Sequence, residues 1–180
     1  IWITMATLAA AAGLLRSTCP EAHILVVGRG AKEPWLRAEA LRAGLDNISL
    51  LPYQPRSALA DSLAACDVAV VSLAPGMVGV SVPSRLYNVM AAGRPVIAVA
   101  DDRSEVALVV REERIGWVVP PGDAPALARA IIDASRNRPQ LRAMGERARL
   151  AAERLYSRER VRSVWQSFVA ETTADSEGRA

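Results

Sequence analysis

The sequence is poor in the residues from which many active sites are built: one histidine, one lysine and two cysteines among 180 residues. A Ser/His/Asp triad or a histidine metal site would have to lean on His23 alone, and that residue opens an apolar run, where a structural role is the ordinary one. Cys19 and Cys66 lie far apart without metal-like spacing and read as reduced, buried thiols of a cytosolic protein. No pair of carboxylates stands out as an acid/base couple. Aromatics make up only 4% of the chain and are not interleaved with the arginines, which argues against nucleic acid. No run of about 18 uncharged apolar residues exists, so no helix is expected to span a membrane. Ile1 to Leu15 is apolar and Ala-rich, but it lacks a basic flank and begins without Met. It reads as a helix of a trimmed protein, not as a signal-peptide core.

What is present is ordinary for a globular domain: 51% hydrophobic and 23% charged residues. A chain of this length buries on the order of 70% of its unfolded surface, enough for a core without staples. The net charge of +3 is unevenly spread, with nine Arg against three Glu from Arg136 to Arg162. That stretch is either a solvated helical face or a surface drawn to an anionic membrane or a polyanionic substrate.

Apolar runs alternate with helical patterns along the chain. A helix from Thr4 to Ser17 stops at Pro20. His23 to Val27 is a continuous apolar strand of the kind buried on both faces. Pro34 to Ala43 is helical, Ile48 to Leu51 a strand, Ser57 to Ala65 a helix and Asp67 to Leu73 a third strand. A Gly-rich loop leads to a helix over Pro83 to Ala92, then a strand over Pro95 to Ala100 and a helix over Ser104 to Glu112. Gly116 to Val119 is the fifth strand, followed by helices over Ala124 to Ser135, Pro139 to Leu155 and Arg158 to Ala170. Asp123 and Ser157 suit N-caps. Residues 1–171 thus read as one domain, and 172–180 as a frayed polar tail. The alternation predicts an α/β fold, a Rossmann-like doubly wound, mostly parallel sheet of about five to six strands with extra C-terminal helices.

In such sheets ligands sit beyond the carboxyl ends of the strands. Gly28-Arg29-Gly30 follows the first strand. It is either a tight turn or a loop that brings a guanidinium to phosphate, but it is neither GxGxxG nor a P-loop. Pro52-Tyr53-Gln54-Pro55 is a stiff loop: a plain connection, or one presenting Tyr53 to a base. The most informative segment runs through Ser81, Ser84, Arg85 and Asn88 into a helix. Its first-turn N–H groups, hydroxyl and guanidinium suit an anion, and Asn88 lies one turn on, within reach of a ribose. Ser84 reads equally as a plain N-cap. Asp101, Asp102 and Glu105 follow the fourth strand, as ligand contacts or as helix caps.

The segment VPSRLYNVMAAGRPVIA resembles the EAMAxGxPVIA stretch of family-4-type (group 1) glycosyltransferases of the GT-B fold. LVVGRG, GLDNISLLPYQP, LAACDVAVVSL, IGWVVPPGDAPALARAI and LRAMGERAR match further segments of that family in order, over about Ala22 to Phe168. The flavour is that of exopolysaccharide and colanic-acid-type enzymes, which share a VPS-[KR]-x-Y-N pattern.

The resemblance implies the C-terminal, donor-binding half of a two-domain enzyme, with the acceptor domain and a glycine strand bearing a basic residue preceding Ile1. It implies a nucleoside diphosphate sugar donor, UDP more than GDP, no metal or other cofactor, and a saccharide or lipid-linked acceptor. The place implied is the cytoplasm, at the inner membrane face. Gly28, Arg29, Ser84 and Arg85 would then hold the donor's diphosphate, Asn88 the ribose, Tyr53 the base and Glu105 the sugar, with Gly30 and Ser81 as further residues of the donor site. Arg85 would stabilise the departing diphosphate as the catalytic group. The family's E-x7-E pair falls on Val80 and Asn88, neither of them Glu, which leaves the stereochemical outcome open. A nucleotide-sugar epimerase of the same architecture would use His and carboxylates not found here. A non-catalytic contact module would show no nucleotide affinity.

Overall fold

The computed structural model describes residues 2–177. Chain order is α1 (Trp2–Thr18), β1 (Ile24–Val27), α2 (Glu33–Arg42), β2 (Ile48–Leu51), a 3-10 turn (Arg56–Ala58), α3 (Leu59–Ala64), β3 (Ala69–Ser72) and α4 (Arg85–Ala91). Then follow β4 (Val96–Val99), α5 (Glu105–Glu112), β5 (Gly116–Val119), α6 (Ala124–Arg136), α7 (Arg138–Leu155) and α8 (Arg158–Glu177).

All strand pairs are parallel, as the alternation predicts, but the five strands form two sheets instead of one. β1 pairs with β2, in register from Ile24 with Ile48 to Val27 with Leu51. The second sheet has the order β3-β4-β5, pairing Ala69 with Val96 and Val96 with Gly116. A Cβ at Gly116 would lie 1.7 Å from the Val96 carbonyl oxygen, so only glycine lets β5 start this close to β4.

The three-stranded sheet is covered on both faces. Alternate residues Ala69, Val71, Val96, Ala98 and Val118 meet Leu86, Val89 and Met90 of α4, Val106 and Val110 of α5, and Ala148 and Ala152 of α7. The residues between them, Val70, Ile97, Val99 and Val119, meet Leu8, Ala11 and Leu15 of α1 and Leu127, Ala128 and Ala130 of α6. This period-2 division of a strand between two helical layers is the physical content of a buried parallel sheet. Each fully buried Val or Ile stabilises the fold by about 1.5–3 kcal/mol relative to exposure.

The two-stranded sheet is covered on one face only. Ile24, Val26, Ile48 and Leu50 pack with Ala9 of α1 and Leu36 of α2. On the other face Leu25 is 44% and Val27 42% exposed, which corrects the expectation of burial on both sides for β1. The apolar run is continuous, but no helix among the described residues lies over that side.

Smaller differences have local causes. The helix expected over Ser57 to Ala65 divides into a 3-10 turn and α3, neither with a side-chain cap. The Ser62 hydroxyl donates to the Ala58 carbonyl, 2.7 Å away, at the junction. α4 has seven residues, shorter than the predicted span. α8 continues to Glu177 instead of ending near Ala170, while 178–180 lie outside the described residues. Ser104, Asp123 and Ser157 accept from the N–H groups of Ala107, Ala126 and Arg160 as N-caps. Cys19 and Cys66 are free thiols, Cys19 buried and Cys66 half-buried. No helix among the described residues is long and apolar enough to cross a membrane.

Candidate functional site

The segment singled out by sequence leaves β3 at Ser72 and returns as α4. Its loop is held by hydrogen bonds of its own: the Gly76 N–H donates to Asp101 Oδ2 at 3.1 Å, and the Val80 and Ser81 N–H groups turn back onto the Met77 carbonyl. The Leu86 N–H then closes onto Pro83 O at 3.0 Å, starting the helix tightly. Leu86, Val89 and Met90 are buried against the three-stranded sheet. That spacing turns Ser84, Arg85 and Asn88 to the opposite side, and all three are exposed.

Ser84 occupies the N-cap position with helical backbone (φ −56°, ψ −21°) and makes no capping hydrogen bond. Its hydroxyl is therefore not spent on the helix, which removes the plain-cap reading. The seven-residue length of α4 also means that little of a macrodipole backs this terminus. Attraction for an anion would come from Arg85 and Ser84. Arg85 makes no ion pair with any described residue, unlike Arg111 with Asp102 or Arg138 with Asp67.

The carboxylates after β4 divide by role. Asp101 anchors Gly76, Asp102 pairs with Arg111, and Ser104, fully buried, caps α5. Glu105, in the first turn of α5, is exposed and does no capping. Its charge is felt by a tyrosine pair: Tyr87 of α4 and Tyr156 at the end of α7 lie with ring centroids 4.7 Å apart. Burial raises both phenols above the ordinary tyrosine value, and the Glu105 carboxylate adds to the rise in each. Sequence reasoning gave this pair no role. Tyr87 sat inside the VPSRLYN segment, but nothing in sequence spacing brings Tyr156 to it.

The remaining candidates sit on the other sheet. Gly28, with φ +123°, donates to Leu51 O at 3.1 Å, and Gly30 O accepts from the Glu33 N–H at 3.0 Å. Gly28-Arg29-Gly30 is thus a tight turn into α2 whose Arg29 side chain is exposed and makes no ion pair with any described residue. In the loop after β2 the Gln54 amide donates to Pro52 O, and Tyr53 is 74% exposed, its ring open to a partner.

The structure therefore gathers Ser81, Ser84, Arg85, Asn88 and Glu105 at the carboxyl edge of the β3-β4-β5 sheet. Gly28, Arg29, Gly30 and Tyr53 gather at the carboxyl edge of the β1-β2 sheet. No hydrogen bond or ion pair among the described residues joins the two groups. His23 stands at the opposite, amino end of β1, where its Nε2 meets Ser49 Oγ at 2.8 Å. A polar cavity of about 630 Å³, lined in part by Arg16, His23, Asp46 and Asn47, opens there as well. No group of three or more His, Cys, Asp or Glu among the described residues is placed to hold a metal.

These features define a Rossmann-like α/β domain with exposed cationic loops at the carboxyl ends of its parallel strands. The chain belongs to the family described as glycosyl transferases group 1, whose model matches residues 6–151. It is 41% identical to a probable glycosyltransferase, WbjE, of Pseudomonas aeruginosa over 114 residues, 62% of this chain and 28% of the relative. It is 36% identical to the phosphatidyl-myo-inositol mannosyltransferase of Mycobacterium leprae over 118 residues, 65% of this chain and 29% of that protein. The matches therefore span less than a third of these relatives' length. Among solved structures, Anabaena HepE in complex with UDP-glucose superposes with a TM-score of 0.70 at 21% identity, over 96% of this chain and 44% of HepE. That likeness extends the fold agreement across nearly the whole domain.

Proposed function

We propose that this chain is the donor-binding domain of a glycosyltransferase that moves a sugar from a nucleoside diphosphate sugar, UDP in preference to GDP, to a saccharide or lipid-linked acceptor. The observation that carries it is the start of α4, where Ser84 and Arg85 are exposed and unspent at the carboxyl edge of a parallel sheet. Family membership and a neighbour whose structure holds UDP-glucose support the same reading.

In this reading Gly28, Arg29, Ser84 and Arg85 hold the diphosphate, and Gly30 and Ser81 complete the donor site. Asn88, one turn beyond Ser84, hydrogen-bonds the ribose, and Tyr53 offers its ring to the base. Glu105 reaches for the sugar. Arg85 is the catalytic group: as the glycosidic bond to the donor phosphate breaks, charge grows on the leaving diphosphate, and a fixed guanidinium favours that charge over the ground state. The residues placed here require no metal and no covalent enzyme nucleophile. A second domain would bring the acceptor and exclude water from the cleft. The arginine-rich α7 and the start of α8 would favour an anionic membrane face, where a lipid-linked acceptor resides.

Calorimetric titration with UDP, GDP and ADP, beside an Arg85→Ala variant, tests the reading. UDP should bind, and the variant should lose about 1.5–3 kcal/mol, the worth of a hydrogen bond to a charged group. A folded protein that binds no nucleotide would overturn it in favour of a non-catalytic contact module.

A further inference from the structure

The donor reading rests on the position of α4, and α4 is too short to hold itself. Seven residues form an isolated helix poorly, so its place must come from packing. Part of that packing comes from the sheet, through Leu86, Val89 and Met90, and a larger part from α7 along its flank. α7 lies antiparallel to α4 and touches it at successive positions of a single helical face.

At the far end of α4, Gly93 turns the chain with φ +66° directly over Gly145, where an added Cβ would stand 2.3 Å from the Gly93 oxygen. One turn along α7, Arg149 Nη1 donates to Ala91 O at 2.5 Å. Two turns further, Tyr156 meets Tyr87. Residues 145, 149, 152 and 156 recur at the spacing of one helix face. The strap thus fixes the end of α4 by backbone contact and a hydrogen bond. Toward its beginning, where Ser84 and Arg85 stand without a side-chain cap, α7 adds the ring contact of Tyr156 on Tyr87 to the apolar packing of Ala152 with Leu86.

We propose that Tyr156 is a positioning residue: by its ring against Tyr87 it sets the place of the first turn of α4, and with it Ser84, Arg85 and Asn88, for the diphosphate. The inference rests on the donor reading for its functional meaning, but its structural half stands by itself. Tyr156 is not among the residues assigned to the donor above. It acts through Tyr87, which is next to Asn88 in the chain. It is also the last residue before Ser157 and α8, so the place where α7 ends and α8 begins bears directly on the donor helix.

The test compares Tyr156→Ala, Tyr156→Phe and, as a control on the other side of the sheet, Leu127→Ala in α6. Two readouts are taken on each folded protein: the Kd for UDP, and hydrogen exchange of the α4 amides without ligand. Tyr156→Ala should weaken UDP about tenfold, equivalent to about 1.4 kcal/mol, and speed exchange in α4 by about the same factor. Tyr156→Phe keeps the ring and should stay within about twofold of the parent on both. Leu127→Ala lowers thermal stability but should leave UDP affinity and α4 exchange at parent values. Unchanged α4 exchange in Tyr156→Ala, or equal acceleration in Leu127→Ala, overturns the inference. If the parent binds no UDP, the donor reading fails, and the exchange measurement still decides whether Tyr156 positions α4.

Discussion

The two sheets of this domain are built from similar strands and finished differently. β4 is buried at all four positions, because helices lie on both faces and strands on both edges. β1 has much the same composition, yet every second residue stands open, because α1 and α2 cover one face and, among the described residues, β2 alone pairs with it. A strand's apolar content states what it is suited to, whereas burial is decided by the neighbours it finds. The cores differ accordingly. Thirteen buried residues form one cluster over the three-stranded sheet, against three over the two-stranded sheet. α1 is the common element, since Met5 on it and Ile24 on β1 adjoin the packing on both sides.

The contrast breaks most sharply at the centre of β4. Ile97 is fully buried between α1, α6 and its own sheet. Ile97→Ala should cost about 2–5 kcal/mol, the transfer term plus the cavity left behind. Denaturant unfolding measures it, and a loss below about 1 kcal/mol would mean that the three-stranded core is looser than its packing implies.

How much of this was legible beforehand follows the same division. Ile48 to Leu51 and Gly116 to Val119 are strands at the limits read from sequence, and Asp123 and Ser157 cap the helices they precede, because these are local matters of apolar runs and side-chain oxygens, whereas the cap of α5 is Ser104 and not one of the neighbouring carboxylates considered for it. The split into two sheets was not legible, since pairing depends on which edges meet. Neither was the open face of β1. At the site, the exposure of Arg85 and Asn88 opposite buried Leu86 and Val89 follows from helical periodicity. The commitment of Asp101 to Gly76, 25 residues away in sequence, does not. The Tyr87–Tyr156 contact joins residues 69 apart, and such pairs are decided by how α7 lies, which no local pattern records.

A second experiment sharpens the comparison on the weaker side. Leu36 of α2 is the one fully buried side chain in the small cluster over β1 and β2. Leu36→Ala should cost about 2 kcal/mol, the low end for a core leucine, because few neighbours share the cavity and the site can relax. Its signature should be local. Amide exchange should rise in β1, β2 and α2 while β3, β4 and β5 keep their protection, as for a separate opening unit. Equal acceleration in both sheets would show that α1 joins them into one cooperative unit.

The smallest effect is expected on the open face itself. Leu25 is 44% exposed, between Ile24 and Val26, whose side chains pack inward. Leu25→Ser removes a side chain that keeps much of its contact with water, so stability should change by no more than about 0.5 kcal/mol, the range of ordinary surface substitutions. The backbone pairing of Leu25 with Ser49 is untouched by the change. Chemical denaturation of this chain supplies the number. A null result fits a sheet covered on one side. A loss near 2 kcal/mol would mean that in solution this face lies against something apolar, since hydrophobic burial is the only sizeable interaction a leucine side chain can lose here. The two sheets would then differ less than their structures suggest, and light scattering on the same sample would show whether a second copy of the chain provides the cover.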